Sequence, residues 1–155
     1  FVKHSKVKYF LAIKGAETVG RIASIVNPVH IKYHNEKVGF FGFFESINDE
    51  EVVLSLFETV AKDLEKENME LIRGPMNFST NEQCGILIEG FQYTPMLMTP
   101  YNPPYYQNLL EKIGFTKVKD LFAYIKKIPE TLPKKIYKVA NIAKKKGIKV
   151  RKANI

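Results

Sequence analysis

The segment from Val38 to Gly74 constrains the fold of this chain more than any other. It starts with the apolar run VGFFGFFES, continues with INDEEVVLSLFETVAKDLEKEN, which has helical periodicity, and ends with the short strand pattern MELIRGP. Strand, helix and strand in this order predict an α/β or α+β fold that places a ligand where the helix begins, because free backbone N–H groups and the helix dipole favour an anion there. The helix, however, begins with Asp49, Glu50 and Glu51, which repel a phosphate.

Length and composition are those of one folded domain. The chain has 155 residues, of which 45% are apolar and 12% aromatic, so it can bury a core. Its single cysteine, Cys84, excludes an internal disulfide and is typical of a reducing compartment. No apolar run in the sequence approaches the roughly 20 residues of a spanning helix. We therefore expect a cytoplasmic protein that binds no membrane.

The positive charge of the chain is concentrated near its end. Residues 1–116 hold 11 Lys and Arg against 14 Asp and Glu, a net charge of −3, whereas residues 117–155 hold 13 against 2, a net charge of +11. Such a segment attracts RNA, anionic lipid or an acidic partner, or it is a solvated helix face or a face covered by further protein. We prefer the solvated or covered face. Nucleic acid is not the expected partner, since Phe122, Tyr124 and Tyr137 are too scattered to stack bases.

The first part of the chain predicts a sheet. Apolar patterns indicate strands at Val7–Ile13 and Thr18–Val26, joined as a hairpin, and a strand at Val38–Phe44 that is buried on both faces. His30–Lys37 is expected to be a polar connection. The two glycines of the buried strand predict a bulge, or a close approach by another backbone or a ligand.

The long helix after this strand has a clear start signal and a clear apolar face. Asn48 is the expected N-cap, and Glu51 completes a capping box. The core-facing positions are spaced by three and four residues. They are Val52, Val53, Leu56, Phe57, Val60, Ala61 and Leu64.

Further elements are predicted in the second half of the chain. Strands are expected at Met69–Ile72, Phe115–Lys126 and Ile148–Val150. One helix is expected to follow Asn102 as its cap, with Pro at its first position, and another covers residues 134–146.

Between Met76 and Tyr101 the sequence predicts an irregular segment rich in neutral hydrogen-bonding side chains. Long loops in compact domains often bind ligands, so this segment is the first candidate for a binding surface. The alternative is that these side chains satisfy one another and the loop backbone. The candidate substrate-binding residues here and just beyond are Asn77, Ser79, Asn81, Glu82, Tyr101, Asn102 and Tyr105.

Several stretches resemble the GNAT superfamily of acetyl-CoA-dependent N-acyltransferases: the hairpin FLAIKGAETVGRIASIVN, the strand, loop and helix after it, and NPPYYQNLLEKIGFTKVKDLFAYI. More narrowly, VGFFGFFES, RGPMNFSTNEQCG and PYNPPYYQNLLEKIGFTKVKDLFAY resemble a bacterial and archaeal family whose members look like two GNAT-like halves in one longer chain. The resemblance covers roughly residues 8–127. It implies an α/β (α+β) fold whose mixed, mostly antiparallel sheet is flanked by helices.

The same resemblance implies a domain organisation. Residues 1–128 would form a GNAT-like domain that lacks its first elements, and residues 129–155 a basic helical tail and the start of a second half. The implied partners are an amine substrate, either a small molecule or a peptide, and a second GNAT-like half or a second copy of the chain.

The implied acyl donor is acetyl-CoA or another acyl-CoA. In GNAT enzymes the strand matching Val38–Phe44 lies beside the pantetheine arm, and the next loop wraps the pyrophosphate with backbone N–H groups. The positions that match are Phe43, Phe44, Glu45, Ser46, Ile47 and Asn48. Residues 47–52 lack the arginine or glutamine and the glycines of the family loop and carry carboxylates instead. This departure disfavours tight acetyl-CoA binding in the usual pose.

Two residues are the candidates for catalysis. Glu45, at the end of the buried strand, is the candidate general base, with an ion pair to Arg21 or Arg73 as the alternative. The tyrosine that protonates the leaving thiolate in GNAT enzymes falls at Leu110 here. Tyr106, one helical turn earlier on the same face, is the candidate substitute.

Other candidate sites in the sequence are weaker. His30 and His34 are four residues apart but have no third ligand at a suitable spacing, so no metal is expected. Cys84 has no histidine nearby in sequence and is expected to be a small core residue rather than a nucleophile.

Two function classes follow for the GNAT-like domain. One is an acyl-CoA-dependent N-acyltransferase with a degenerate pyrophosphate loop. The other is a non-catalytic or CoA-independent descendant that binds a ligand in the same cleft. An open wedge between the strands Val38–Phe44 and Met69–Ile72 is expected for the enzyme, and a wedge filled by side chains for the descendant.

Overall fold

The four strands that the structure describes form one mixed sheet. In this computed structural model, which describes residues 4–152, β1 (Lys6–Lys14) and β2 (Glu17–Val26) form an antiparallel hairpin. β3 (Val38–Ser46) pairs antiparallel with β2, and β4 (Leu71–Arg73) pairs parallel with β3. With helices flanking the sheet, the predicted α+β class with a mixed, mostly antiparallel sheet is confirmed.

The helices follow the strands in a regular order. They are α1 (Pro28–His34), α2 (Glu50–Lys66), α3 (Tyr106–Lys112) and α4 (Lys134–Lys145). The apolar faces of α2 and α3 share one buried cluster with β2 and β3. Since burial of apolar surface is the main force that holds such layers together, this cluster fixes α3 beside the end of β3.

β3 is buried on both faces, as its apolar sequence predicts. On one face the ring of Phe41 lies 4.8 Å from Phe57 and 5.3 Å from Phe115, between centroids. On the other face Phe40 belongs to a second cluster, against which Met76 and Phe78 of the irregular segment pack. The segment after β4 therefore covers the sheet on the side opposite to α2.

The chain divides into two compact units, Phe1–Asp120 and Leu121–Ile155. The first contains the sheet and the helices α1 to α3, and the second contains α4. The sequence-based division at residue 128 remains a prediction. Among residues 4–152, no helix is both long and apolar enough to cross a bilayer.

Three predictions about the helices of the first half are wrong. Residues 28–34 form α1 rather than a polar connection, because Asn27 caps the segment by accepting hydrogen bonds from Val29 and His30 N–H. The N-cap of α2 is Asp49 and not Asn48, since the carboxylate of Asp49 accepts from the first free N–H groups. Ala61, expected in the core, is exposed, and the other six positions of the predicted stripe are buried.

Predictions for the second half also need correction. α3 begins at Tyr106, with no side-chain cap, because Asn102 binds the backbone of Leu87 instead. Residues 115–126 form no strand, and neither do residues 148–150. A strand exists only when a neighbour satisfies its N–H and C=O groups, and no described strand pairs with either segment.

Candidate active site

The buried strand β3 carries a bulge near its end. Arg21 of β2 lies opposite Glu45, and Ala23 lies opposite Gly42, so Phe43 and Phe44 together face the single residue between Arg21 and Ala23. Phe43 has a φ of +51°, which a bulky residue rarely adopts. Bulges of this kind redirect backbone groups and often lie next to active sites.

The side chain of Asn77 binds the backbone N–H of Phe43 in this bulge. Its Oδ1 atom accepts a hydrogen bond from the N–H of Phe43 at 2.7 Å, and its amide donates to Gln83 at 3.0 Å. The Met76 N–H donates to the carbonyl of Phe41 at 2.8 Å, which holds the segment after β4 against β3. The pairing of β3 with β4 ends at Phe40 and Arg73. Beyond that pair, Met76 and Asn77 contact β3 and fill the wedge between the strands.

A close backbone approach explains the glycine before the bulge. A Cβ atom at Gly42 would collide with the carbonyl oxygen of Met76. The approach is therefore to another backbone, one of the alternatives that the sequence predicted. At Gly39 the added atom would instead meet the Leu64 side chain at 2.5 Å.

Two consecutive tyrosines hold the last residue of β3. The N–H of Ser46 donates to the hydroxyl of Tyr106 at 3.0 Å, and the hydroxyl of Tyr105 donates to the carbonyl of Ser46 at 2.9 Å. Tyr106 is only 5% exposed, and burial raises the pKa of its hydroxyl. The hydroxyl of Tyr106 is therefore protonated at neutral pH and can donate a proton, but it cannot act as a base.

Glu45 lies at the surface at the end of the strand. Its carboxylate accepts a hydrogen bond from Arg21 at 2.8 Å, and its side chain is 65% exposed. Of the two arginines considered, Arg73 binds Glu36 instead, at 2.9 and 3.1 Å. Glu45 thus precedes Ser46 in the strand and is exposed, whereas Tyr106 is bonded to the Ser46 N–H and is buried.

The start of α2 does not fit a pyrophosphate. The carboxylate of Asp49 accepts from the N–H groups of Glu51 and Val52 at 3.0 and 3.4 Å, so donors that an anion would use are already bound. The hydrogen bond from Lys14 is the main cause that lowers the pKa of Asp49 and keeps it charged. Glu50 is paired with Lys112 at 2.8 Å. The carboxylates of Asp49 and Glu50, with their lysine partners, therefore occupy the place where the family resemblance implies nucleotide phosphates.

The polar side chains of the irregular segment form hydrogen bonds mainly with other residues of that segment. Ser79 donates to Glu82 at 3.1 Å and accepts from the N–H of Asn81 at 3.3 Å. Tyr101 donates to the carbonyl of Phe91 at 3.3 Å. Of the seven predicted substrate-binding residues, Asn77 and Tyr105 contact β3 directly. The other five shape the loop, as the alternative interpretation proposes.

A shallow apolar groove lies on the outer side of the hairpin, next to the bulge. It measures about 200 Å³ and is lined by Tyr9, Leu11, Arg21 and Phe43 among others. Tyr9 and Leu11 are more than half exposed, at 63% and 61%. The groove therefore joins an open apolar strip on β1 to Arg21, the partner of Glu45.

One histidine of α1, His30, contacts the ion pair between Glu36 and Arg73. His30 Nε2 lies 2.7 Å from Glu36, and the Arg73 and His30 contacts lower the pKa of Glu36 to about 2. Within the described part of the chain, no group of three or more His, Cys, Asp and Glu side chains could hold a metal. Burial raises the pKa of Cys84, which makes its thiol a poor nucleophile.

No family model matches the chain, but two curated proteins are similar in sequence. The chain is 32% identical over 115 residues to Protein YghO of Escherichia coli (strain K12). The matched region covers 74% of this chain and 30% of that protein. It is 33% identical over 125 residues to the bacterial ceramide synthase of Caulobacter vibrioides (strain NA1000 / CB15N), covering 80% of this chain and 33% of that protein. The chain spans about a third of the length of the curated relatives it matches.

Among solved structures, the crystal structure of a probable acetyltransferase is similar with a TM-score of 0.40 and 12% identity, covering 83% of this chain and 71% of that chain. The observed topology is three antiparallel strands, a helix and a parallel fourth strand.

Three features of the site were missed from the sequence. Lys14 and Lys112 come from distant parts of the chain to neutralise the start of α2, and no local pattern indicates such pairs. The groove beside Phe43 was also missed, although apolar residues at every second position of β1, among them Tyr9 and Leu11, could have indicated one apolar face of the strand.

Proposed function

We propose that this chain is part of a GNAT-type N-acyltransferase that moves an acyl group from a thioester to a long-chain amine. The observation that carries the proposal is the bulge in β3, which turns the N–H of Phe43 toward a side-chain carbonyl oxygen. A backbone donor of this kind stabilises the charge that develops on a thioester carbonyl during acyl transfer. The similarity to a bacterial ceramide synthase supports the amine class, since a ceramide is the N-acyl derivative of a long-chain amino alcohol.

In this proposal the Oδ1 atom of Asn77 marks the position of the donor's carbonyl oxygen. Asn77 is an amide, and its oxygen accepts the Phe43 N–H as a thioester oxygen would. The donor displaces Asn77, which keeps its second partner, Gln83. In this proposal the side chain of Asn77, which lies in the wedge between β3 and β4, is displaced when the thioester binds.

The chemical roles follow from exposure and protonation. The amine nitrogen attacks the thioester carbon and loses a proton to Glu45, which is exposed to solvent and paired with Arg21. The carbon–sulfur bond breaks, and the leaving thiolate takes a proton from Tyr106, whose raised pKa keeps the hydroxyl protonated. The amide and the free thiol are the products.

The groove lined by Tyr9, Leu11 and Phe43 is the proposed site of the acceptor chain. An apolar chain gains free energy by covering the exposed parts of these side chains, about 25 cal/mol for each Å² removed from water. Arg21 lines the groove and holds Glu45, so an amino group at this end of the chain lies near the proposed base.

In this proposal the start of α2 does not bind the nucleotide of the donor, because that position is acidic.

The test is calorimetric titration of the protein with hexadecanoyl-CoA and with S-hexadecanoyl-pantetheine, which lacks the nucleotide. We expect both to bind, with dissociation constants within about tenfold, or about 1.4 kcal/mol. Absence of binding by both thioesters would contradict the proposal.

A second candidate is a CoA-independent ligand-binding descendant of the fold. The observation that favours it is the filled wedge, in which Asn77, Tyr105 and Tyr106 satisfy the polar groups at the end of β3. It predicts thermal stabilisation by long-chain amines and none by either thioester. Stabilisation by a thioester alone would exclude it.

A further inference from the structure

The helix α4 has one apolar face and one basic face. Ile136, Val139, Ala140 and Ala143 recur at helical spacing and form the apolar face. The other positions of the helix hold Tyr137, Asn141, Ile142 and five lysines, which are Lys134, Lys135, Lys138, Lys144 and Lys145. This pattern is typical of a helix that lies in the plane of a membrane interface.

The apolar face is open. Ile136 is 48% exposed and Val139 is 58% exposed, and a shallow groove of about 370 Å³ runs along Lys135, Ile136, Val139 and Ala140. Large apolar side chains gain free energy when they leave water, so this face favours an apolar partner.

The charge of this segment has one sign only. After Glu130 the sequence contains no Asp or Glu, whereas lysine and arginine continue to Lys152. A helix that packs on protein usually has mixed charges, and lysine is depleted at protein interfaces. Unbalanced lysines beside an apolar stripe are instead complementary to anionic headgroups above an acyl layer.

We propose that α4 binds the surface of an anionic lipid bilayer, with Ile136 and Val139 inserted between headgroups and the lysines on the phosphates. RNA is the less suitable partner, because Tyr137 is the single aromatic residue among the lysines of α4, and one ring is no platform on which successive bases could stack. From the sequence alone, anionic lipid is one alternative for this segment, but a solvated or covered face is preferred and no membrane binding is expected.

The test is co-sedimentation of the protein with vesicles of phosphatidylcholine alone and of equimolar phosphatidylcholine and phosphatidylglycerol. We expect at least about tenfold tighter binding to the anionic vesicles, with affinity falling as salt rises, because Lys contacts are screened. Equal binding to both vesicles, or none to either, would overturn the proposal. So would binding of a homopolymeric RNA that abolishes vesicle binding in competition.

Variants separate the two parts of the surface. K138Q together with K145Q should weaken binding to anionic vesicles about tenfold, and V139N should do the same without a change in charge. The matched control replaces Lys32 and Lys62 by Gln, two exposed lysines of the other unit, and should bind as the unmodified chain does. Circular dichroism checks that each variant keeps its helix content. Folded α4 variants that bind normally would contradict the proposal.

Discussion

The Oδ1 atom of Asn77 accepts the backbone N–H of Phe43 at 2.7 Å, across the gap that opens where β3 and β4 stop pairing. The donor is part of the bulge, and the acceptor belongs to the segment after β4. In the proposed function, this side-chain carbonyl oxygen occupies the place of the thioester carbonyl oxygen. The proposed function depends on this contact being exchangeable.

Replacement of Asn77 by Ala removes the internal competitor. We expect the free energy of unfolding to fall by about 0.5–1.5 kcal/mol, since one hydrogen bond is lost. Affinity for an acyl thioester should rise, by up to about tenfold, because the donor no longer displaces an amide. The control is N81A in the same segment, whose side chain has no described contact with β3. Weaker thioester binding by N77A would contradict this assignment.

Replacement of Tyr106 by Phe should affect both stability and turnover. The Ser46 N–H would lose its buried acceptor, which costs about 1–3 kcal/mol in the free energy of unfolding. Turnover of the proposed reaction should fall by about 10²–10⁴, the range for loss of general acid catalysis. The matched control is Y105F, which removes only the bond to the Ser46 carbonyl. Equal turnover of the two variants would exclude Tyr106 as the acid.

Neutralising the carboxylates in the first turn of α2 tests whether they disfavour binding of a pyrophosphate there. We expect E50Q with E51Q to tighten binding of acyl-CoA, whose phosphates are repelled by these carboxylates, and to leave S-acyl-pantetheine unchanged. Calorimetric titration gives both affinities. E58Q, on the same helix but away from its start, is the control. An equal change for both ligands would show that the nucleotide does not approach α2.

Gly42 and Gly39 should differ in their tolerance of alanine. At Gly42 the new methyl group meets the Met76 carbonyl, which the hydrogen bond of Met76 to Phe41 holds in place. We expect G42A to lower the free energy of unfolding by about 1–3 kcal/mol, as overpacking does. G39A should cost less, since the Leu64 side chain can change rotamer. Denaturant unfolding measures both, and a larger loss for G39A would contradict the packing described.

Stability at low pH should depend on Glu36. Its pKa is lowered to about 2 in the folded protein by Arg73 and His30, so it binds its proton less readily there than when unfolded. The carboxylate therefore stabilises the fold above about pH 4.5, and this contribution is lost as the pH falls toward 2. The difference in thermal stability between the unmodified chain and E36Q should shrink over that range. A difference that stays constant from pH 6 to about pH 2 would exclude this effect.

The sequence predicts the elements whose partners are close in the chain. The hairpin, β3 and α2 have continuous patterns, and their bounds in the structure differ from the predicted ones by a few residues. The expected strand at 115–126 is absent. Its apolar residues have strand propensity, but propensity alone does not provide a neighbouring strand to pair with. α1 was missed, since its start depends on the cap at Asn27 rather than on an apolar stripe.

The roles of the candidate site residues remain predictions, but the structure shows which of these residues lie together. Sequence reasoning selected Asn77, Tyr105 and Tyr106, and all three contact β3 within the residues described. It did not predict that Asn77 binds Phe43, because the contact depends on the bulge and on the path of the chain after Gly74. Such long-range contacts are set by tertiary packing, which local patterns do not encode.

The formation of an amide tests the central claim most directly. The protein is incubated with hexadecanoyl-CoA and a long-chain amino alcohol, and the lipid extract is analysed by mass spectrometry for the N-acyl product. We predict a time-dependent N-hexadecanoyl amide with release of free thiol, and a much slower reaction for E45Q and Y106F. If no amide forms while the same protein binds the amine, the account of this site as an acyltransferase is contradicted.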